Sequence, residues 1–320
     1  MEEEKRLTRR KFLKGTLLSG ASLILGGLFN YDNTVLASTV KKGKLNSKPR
    51  QVITGNSGMS YPFDLDVDNQ GKIYISDTAN YEIKVFNNQG RKEIAFGRFG
   101  IEKGELNYPK GIAVGDNEIF VVEANNSRVQ RFNKSGKAKA VIGGLGPQDG
   151  AFYYPQGADF EVGTGYLYVA DTRNHRIQVF NRKGKLINIF GKLGDKKEEF
   201  KLPSDITVIK DRIYIADRGH HLIKVFNKDG KYLSEFGGNG SQLGQFSYPE
   251  GIAAKGNKLY VADTRNHRIQ ILNLEGKVID SLGSKGQAPG KFNDPKGVAV
   301  DNSGKVYVAD TKNNRIQVFS

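Results

Sequence analysis

The chain of 320 residues contains no cysteine. That excludes disulfide staples, thiolate metal centres, iron–sulfur clusters, a cysteine nucleophile and lipid attachment at an N-terminal cysteine. Tryptophan is absent as well, and there are only 9 prolines and 4 histidines. No apolar run reaches the ~18 residues of a spanning helix, so a multi-span membrane protein is excluded. Glycine, by contrast, is abundant at 39 residues. Average usage is ~7%, and the excess marks a fold with many tight turns. Length alone suggests two domains of ~100–150 residues, an expectation that repeat and all-β folds break.

Charge is unevenly spread. Lys plus Arg number 49 against 34 Asp plus Glu, for a net +15, and residues 1–50 hold 11 of the basic and 4 of the acidic residues. Thr8-Arg9-Arg10-Lys11-Phe12-Leu13-Lys14 precedes an uncharged, weakly apolar stretch, Gly15 to Phe29, and then small residues up to Ala37. Basic, apolar, small is the order of a cleavable secretory signal. Arg9, Arg10 and Phe12 closely resemble the twin-arginine export consensus. The expectation is a signal over 1–37 with cleavage after Ala37, a polar linker over 38–49, and a folded body over 50–320. Export machinery is then a partner, and the mature protein is periplasmic or extracellular. An uncleaved signal would make it membrane-anchored.

The body repeats. Leu167-Tyr-Val-Ala-Asp171-Thr-Arg-Asn-His-Arg-Ile-Gln-Val-Phe180 returns as Leu259-Tyr-Val-Ala-Asp263-Thr-Arg-Asn-His-Arg-Ile-Gln-Ile-Leu272. Acidic residues at 77, 123, 171, 217, 263 and 310 recur every 46–48 residues, and Pro62, Pro109, Pro155, Pro203, Pro249 and Pro295 keep the same period. Each unit reads as four short strands, a to d. Strand a follows the proline, b ends in the acid, c is of the Arg176–Phe180 type, and d leads into Phe-Gly. Gly90, Gly136, Gly184, Gly230 and Gly276 each follow an Asn by three residues, a hairpin signature between c and d. Four antiparallel strands per ~45-residue unit, stacked radially, make a β-propeller.

The repeated stretch resembles the NHL repeat, named for an Asn-His-Leu core. Asn174-His175-Arg176 and Asn266-His267-Arg268 carry it, with Arg in place of Leu. The resemblance covers residues 50–320 in six copies, whereas the Trp-Asp mark of WD40 repeats is missing. The expectation is an all-β, six-bladed propeller of four-stranded antiparallel blades. The last copy stops after its strand c, and the orphan segment Arg50–Gly55 is expected to supply the missing outer strand, closing the ring.

Residues present in most copies read as scaffold. The repeat acid and the Arg five positions later, as in Asp171/Arg176, should face each other across the b–c hairpin. Blades 1 and 4 lack that Arg, having Glu82 and Leu222. His175, His221 and His267 occupy one repeat position. Adjacent sheets pack ~10 Å apart, too far for equivalent residues to share an ion, so they read as turn-stabilising groups.

Residues that break the symmetry are the functional candidates. After each proline stand Phe63, Lys110, Gln156, Ser204, Glu250 and Lys296, near the channel mouth. Asp64 and Asp205 replace a glycine found in the other four copies. Following the repeat acid, Arg173, Arg218, Arg265 and Lys312 make a cationic crescent over four blades, to which Lys110 and Lys296 add charge. The leading expectation is an exported binding or scaffold module for a protein or an anionic cell-envelope polymer, with no cofactor and no nucleic-acid partner. The alternative is a metal-dependent hydrolase, lactonase or lyase, with Asp64, Asp205 and Glu250 around Ca²⁺ or Zn²⁺ in the channel. Fold analogy alone is a weak warrant for it.

Overall fold

The computed structural model describes residues 45–53 and 58–320. The expected signal over 1–37, with Arg9, Arg10, Phe12 and Ala37, lies outside the described residues. No helix among the described residues is long and apolar enough to cross a membrane.

The described chain forms six four-stranded antiparallel sheets. Blades 1 to 5 run consecutively through residues 62–96, 109–143, 158–190, 203–237 and 249–282. Blade 6 takes strands a to c from residues 295–319, and its outer strand is Gln51–Ile53. In that strand Gln51 faces Val318, Val52 faces Gln317 and Ile53 faces Ile316. The ring is thus closed by its N-terminal strand, as expected. Strands b and c are buried almost throughout, because each blade is sandwiched between two others, whereas strand d alternates toward solvent.

The apolar core is divided into six clusters, one at each junction between blades. Ile53, Ile316 and Val318 of blade 6 meet Leu65, Ile73 and Phe86 of blade 1 in one of them. The Phe-Gly ending of strand d has a packing reason. Gly143, Gly191 and Gly283 have positive φ, and a Cβ there would stand 2.2–2.4 Å from the rings of Phe152, Phe200 and Phe292. Those rings, fully buried, anchor the long d–a loops.

The repeat acid organises each b–c turn. Asp171 Oδ2 takes Nε of Arg176 at 2.8 Å, Nδ2 of Asn174 at 2.9 Å and Nε2 of Gln178 at 3.0 Å, while Oδ1 takes the backbone N–H of Tyr153 at 2.8 Å. Arg176 continues to the carbonyls of Gln148 and Ala151, tying the d–a loop to the turn. Blades 2, 5 and 6 repeat the ion pair through Glu123–Arg128, Asp263–Arg268 and Asp310–Arg315.

Blades 1 and 4 keep the charge pair by another route, which corrects the expectation that they lose it. Lys84 lies 2.5 Å from Asp77, and Lys224 lies 3.4 Å from Asp217. Both lysines occupy the position that is Gln130, Gln178, Gln270 and Gln317 elsewhere. One cation is supplied per buried carboxylate, from either of two sites. His220 stands in for the Asn, with Nδ1 2.7 Å from Asp217.

Two predictions follow from these contacts. Deleting residues 50–53 should lower the melting temperature of the whole ring, since it removes the buried Ile53 and bares the edge of Arg315–Phe319; an unchanged melting curve would refute closure. Lys224→Met should cost about 3–5 kcal/mol by stranding Asp217. Adding Arg and Gln in the pattern of the other blades, as Leu222→Arg with Lys224→Gln, should recover most of that in a denaturant titration. No recovery would show that the two sites are not interchangeable.

Candidate functional site

Two polar layers lie along the propeller axis, both built on strand a. The deeper layer is acidic. Asp64, Asp66, Asp159 and Asp205 line a channel cavity of about 180 Å³ together with Ile112, Thr207 and Ala253. Each carboxylate accepts a backbone N–H from the innermost strand of the next blade: Ile112 to Asp64 at 3.1 Å, Val114 to Asp66 at 2.8 Å, Val208 to Asp159 at 2.6 Å and Ile252 to Asp205 at 2.8 Å. The glycine in the neighbouring copy makes room. A Cβ on Gly157 would stand 2.2 Å from Asp205 Oδ1, and one on Gly297 would stand 2.6 Å from Asp64 Oδ1.

Burial pushes these carboxyls up, and they reinforce one another. Asp64 is raised to about 7 by desolvation and then by Asp159. Asp66 is raised to about 7 and Asp159 to about 6, again chiefly by desolvation. Asp205 rises by desolvation and by the charge of Asp64. No three His, Asp or Glu side chains among the described residues gather closely enough to hold a metal ion. Asp66 and Asp159 were missed in the sequence. Their signal is that they replace the Ala of blades 2, 5 and 6 two residues beyond the Asp64 position.

The upper layer is cationic and aromatic. Glu250 sits at this mouth, apart from the acidic layer, with Lys296 at 2.9 Å and Arg218 at 3.4 Å. Burial raises its carboxyl, but Lys296 and Arg218 together more than reverse this and hold it below the usual range. Lys110 is nearly buried, with its ammonium 4.3 Å from the ring centroid of Phe63, 4.8 Å from that of Tyr154 and 5.6 Å from that of Tyr108. Desolvation lowers it to about 7, against the pull of Glu250.

The rings come from a feature that sequence reasoning passed over. The residue before each repeat proline is Tyr61, Tyr108, Tyr154, Leu202, Tyr248 or Asp294, and all six have φ between +50° and +59°. That left-handed conformation is uncommon for non-glycine residues and is a form of local strain. Five of the six blade junctions hold it with a hydrogen bond from the preceding blade. Leu202, Tyr248 and Asp294 donate their backbone N–H to Nδ1 of His175, His221 and His267 at 3.0–3.1 Å. Tyr61 donates to Asn314 at 2.8 Å and Tyr154 to Ser127 at 3.4 Å. The repeat histidines are therefore junction clasps, each with Nδ1 unprotonated. Desolvation lowers all three.

The crescent exists but is partly neutralised. Arg173 stacks 4.5 Å from the centroid of Tyr154, and Arg265 stacks 3.7 Å from that of Tyr248. Lys312 is paired with Asp294 at 2.5 Å, and Arg218 and Lys296 share Glu250. Two cations thus remain outside ion pairs among the described residues of the crescent, each resting on a tyrosine.

The NHL repeat profile matches residues 106–132, 152–180, 200–226, 246–272 and 292–319. The chain carries NHL repeats. Blade 1 has the same strands without a profile match of its own. No curated protein matches the chain. Among solved structures it is similar to a gluconolactonase from Xanthomonas campestris, at 11% identity over 82% of this chain and 86% of that one, with a TM-score of 0.60. It is also similar to virginiamycin B lyase from Staphylococcus aureus, at 16% identity over 84% and 98% of the two chains, TM-score 0.58. A nidogen/laminin complex contains a chain at 19% identity over 69% and 79%, TM-score 0.56. Identities this low establish the shared propeller architecture alone, which is found in a lyase, a gluconolactonase and a nidogen/laminin complex alike.

The acidic layer yields a prediction with a definite sign. A carboxyl with its folded pKa above its unfolded value of about 3.9 stabilises fully below that value and loses the contribution as pH rises through the folded pKa. Asp64→Asn with Asp205→Asn keeps an oxygen for the Ile112 and Ile252 N–H groups and removes the charge. Relative to wild type, the double variant should gain melting temperature progressively from pH 5 to pH 8. Parallel curves for the two proteins would show that these carboxyls are not strained by burial.

Proposed function

We propose that this chain is an exported NHL-repeat binding module that receives an anionic cell-envelope polymer, or an acidic protein surface, on its turn-bearing face. The observation that carries the reading is the pair of guanidiniums, Arg173 and Arg265, held flat on tyrosines and outside ion pairs among the described residues. A stacked guanidinium gives up little rotamer freedom when an anion arrives. Arg218 and Lys312 add to the field and stay bound to Glu250 and Asp294. Export through Arg9, Arg10 and Phe12 with cleavage after Ala37 places this face outside the cytoplasm, away from nucleic acid. The hydrolase, lactonase or lyase reading is weaker, because Asp64 and Asp205 lie in the acidic layer while Glu250 is tied up at the mouth.

The test is Arg173→Gln with Arg265→Gln, which leaves the buried Asp–Arg pairs and Glu250 untouched. Binding to polygalacturonate or poly-glutamate should weaken about tenfold. Wild-type binding should also fall between about 50 and about 300 mM salt, a span that cuts the Debye length roughly by half. Equal binding by both proteins across that range would remove the crescent from the function.

A further inference from the structure

The mouth contains polar atoms that the fold leaves without partners. Gln156 is 2% exposed, and its Oε1 has no hydrogen-bond partner. Glu250 Oε2 and Arg218 Nε, on blades 5 and 4, are likewise buried and unpartnered. Lys110, 5% exposed, rests among aromatic rings and makes no hydrogen bond or ion pair with another described residue. A buried, unmade hydrogen bond costs about 1–3 kcal/mol. Three such atoms around one opening, with the unpaired Lys110 ammonium beside them, where Ser204 of the same layer bonds the carbonyls of Pro249 and Glu250 at 3.0 Å, call for a common explanation.

Their chemistry specifies the missing molecule. Gln156 Oε1 and Glu250 Oε2 need hydrogen-bond donors. Arg218 Nε and the Lys110 ammonium need acceptors. Three cations, Lys110, Lys296 and Arg218, face the single carboxylate of Glu250, so the acceptor is best an anion. Tyr108 and Tyr154 present ring surface beside Lys110. A carboxylate ion alone offers no donors, and an acidic peptide side chain offers none beside its carboxylate. A sugar acid has both hydroxyl donors and a carboxylate on one ring, with a C–H face suited to tyrosine.

Building on the anionic-partner reading above, we propose that the channel mouth is a subsite for one acidic sugar unit of a glycan, its hydroxyls donating to Gln156 and Glu250 and its carboxylate held by Lys110 and Arg218. The cations on the turns then bind the flanking units of the same polymer.

Calorimetric titration with trigalacturonate tests this, with maltotriose and triglutamate as comparison ligands. Wild type should bind trigalacturonate at least about tenfold more tightly than either, the value of one charge-assisted hydrogen bond. Gln156→Leu and Lys110→Met should each cost trigalacturonate binding by a similar factor. Gln156→Leu should also leave the melting temperature unchanged or higher, since it deletes an unsatisfied buried amide. Equal binding of maltotriose, equal binding of triglutamate, or full trigalacturonate affinity in a folded Gln156→Leu variant would each overturn the subsite. The polygalacturonate assay keeps the two readings apart. Polymer binding that depends on Arg173 and Arg265 but not on Gln156 removes only the mouth, whereas loss of all polyanion binding in wild type removes both.

Discussion

The buried carboxylate at the end of strand b is the constraint on which the functional face depends. All six, Asp77, Glu123, Asp171, Asp217, Asp263 and Asp310, are fully buried. A buried carboxylate must be compensated by charge and hydrogen bonds or the fold bears several kcal/mol of desolvation. Here compensation is what shapes the turn. The Asn, the Arg or Lys, and the backbone N–H at the end of the d–a loop must all converge on one side chain. Convergence fixes where Arg173 and Arg265, two residues beyond the acid, emerge. It also fixes the loop that delivers the pre-proline tyrosine.

A second device acts between blades. The residue after each b–c turn and the residue before each proline are both left-handed, and at five junctions a side chain from the first accepts the N–H of the second. The strain of one is held by the other. His175, His221 and His267 perform this as neutral rings, so their contribution is present above the ordinary histidine range and is lost as pH falls through their lowered values. The channel carboxyls titrate in the opposite sense. Stability is therefore opposed from both sides near neutrality, by histidines at lower pH and aspartates at higher pH.

Periodicity made the architecture legible. Six acids and six prolines in register identify the blades, and a copy that lacks strand d beside an orphan segment identifies the closure. Reading one repeat position at a time is also what concealed the rest. Glu82 and Leu222 look like lost ion pairs until Lys84 and Lys224, two residues on, are read with them. Asp66 and Asp159 are hidden because they lie two residues beyond the glycine position, where the other copies carry Ala or Thr. Half of the cationic crescent is neutralised by partners remote in sequence, with Arg218 and Glu250 separated by 32 residues. The tyrosine collar depends on positive φ before proline, a conformation that residue preferences argue against.

The order of the two polar layers has a consequence for how a polyanion is held. The mouth carries Lys110, Lys296 and Arg218 against Glu250, and directly along strand a below it lie the carboxyls of Asp64 and Asp205. An anionic group is therefore attracted to the rim and repelled one layer deeper. Proton uptake by carboxyls raised to about 6–7 softens that repulsion but leaves no cation to replace it. Threading the channel is disfavoured at every pH at which the ligand stays charged. On the proposed reading a polyanion would instead lie across the face, with one unit at the mouth and its neighbours reaching Arg173 and Arg265 on blades 3 and 5. The acidic channel would then be the floor of that site, its depth set by the same aspartates that accept the N–H groups of the inner strands.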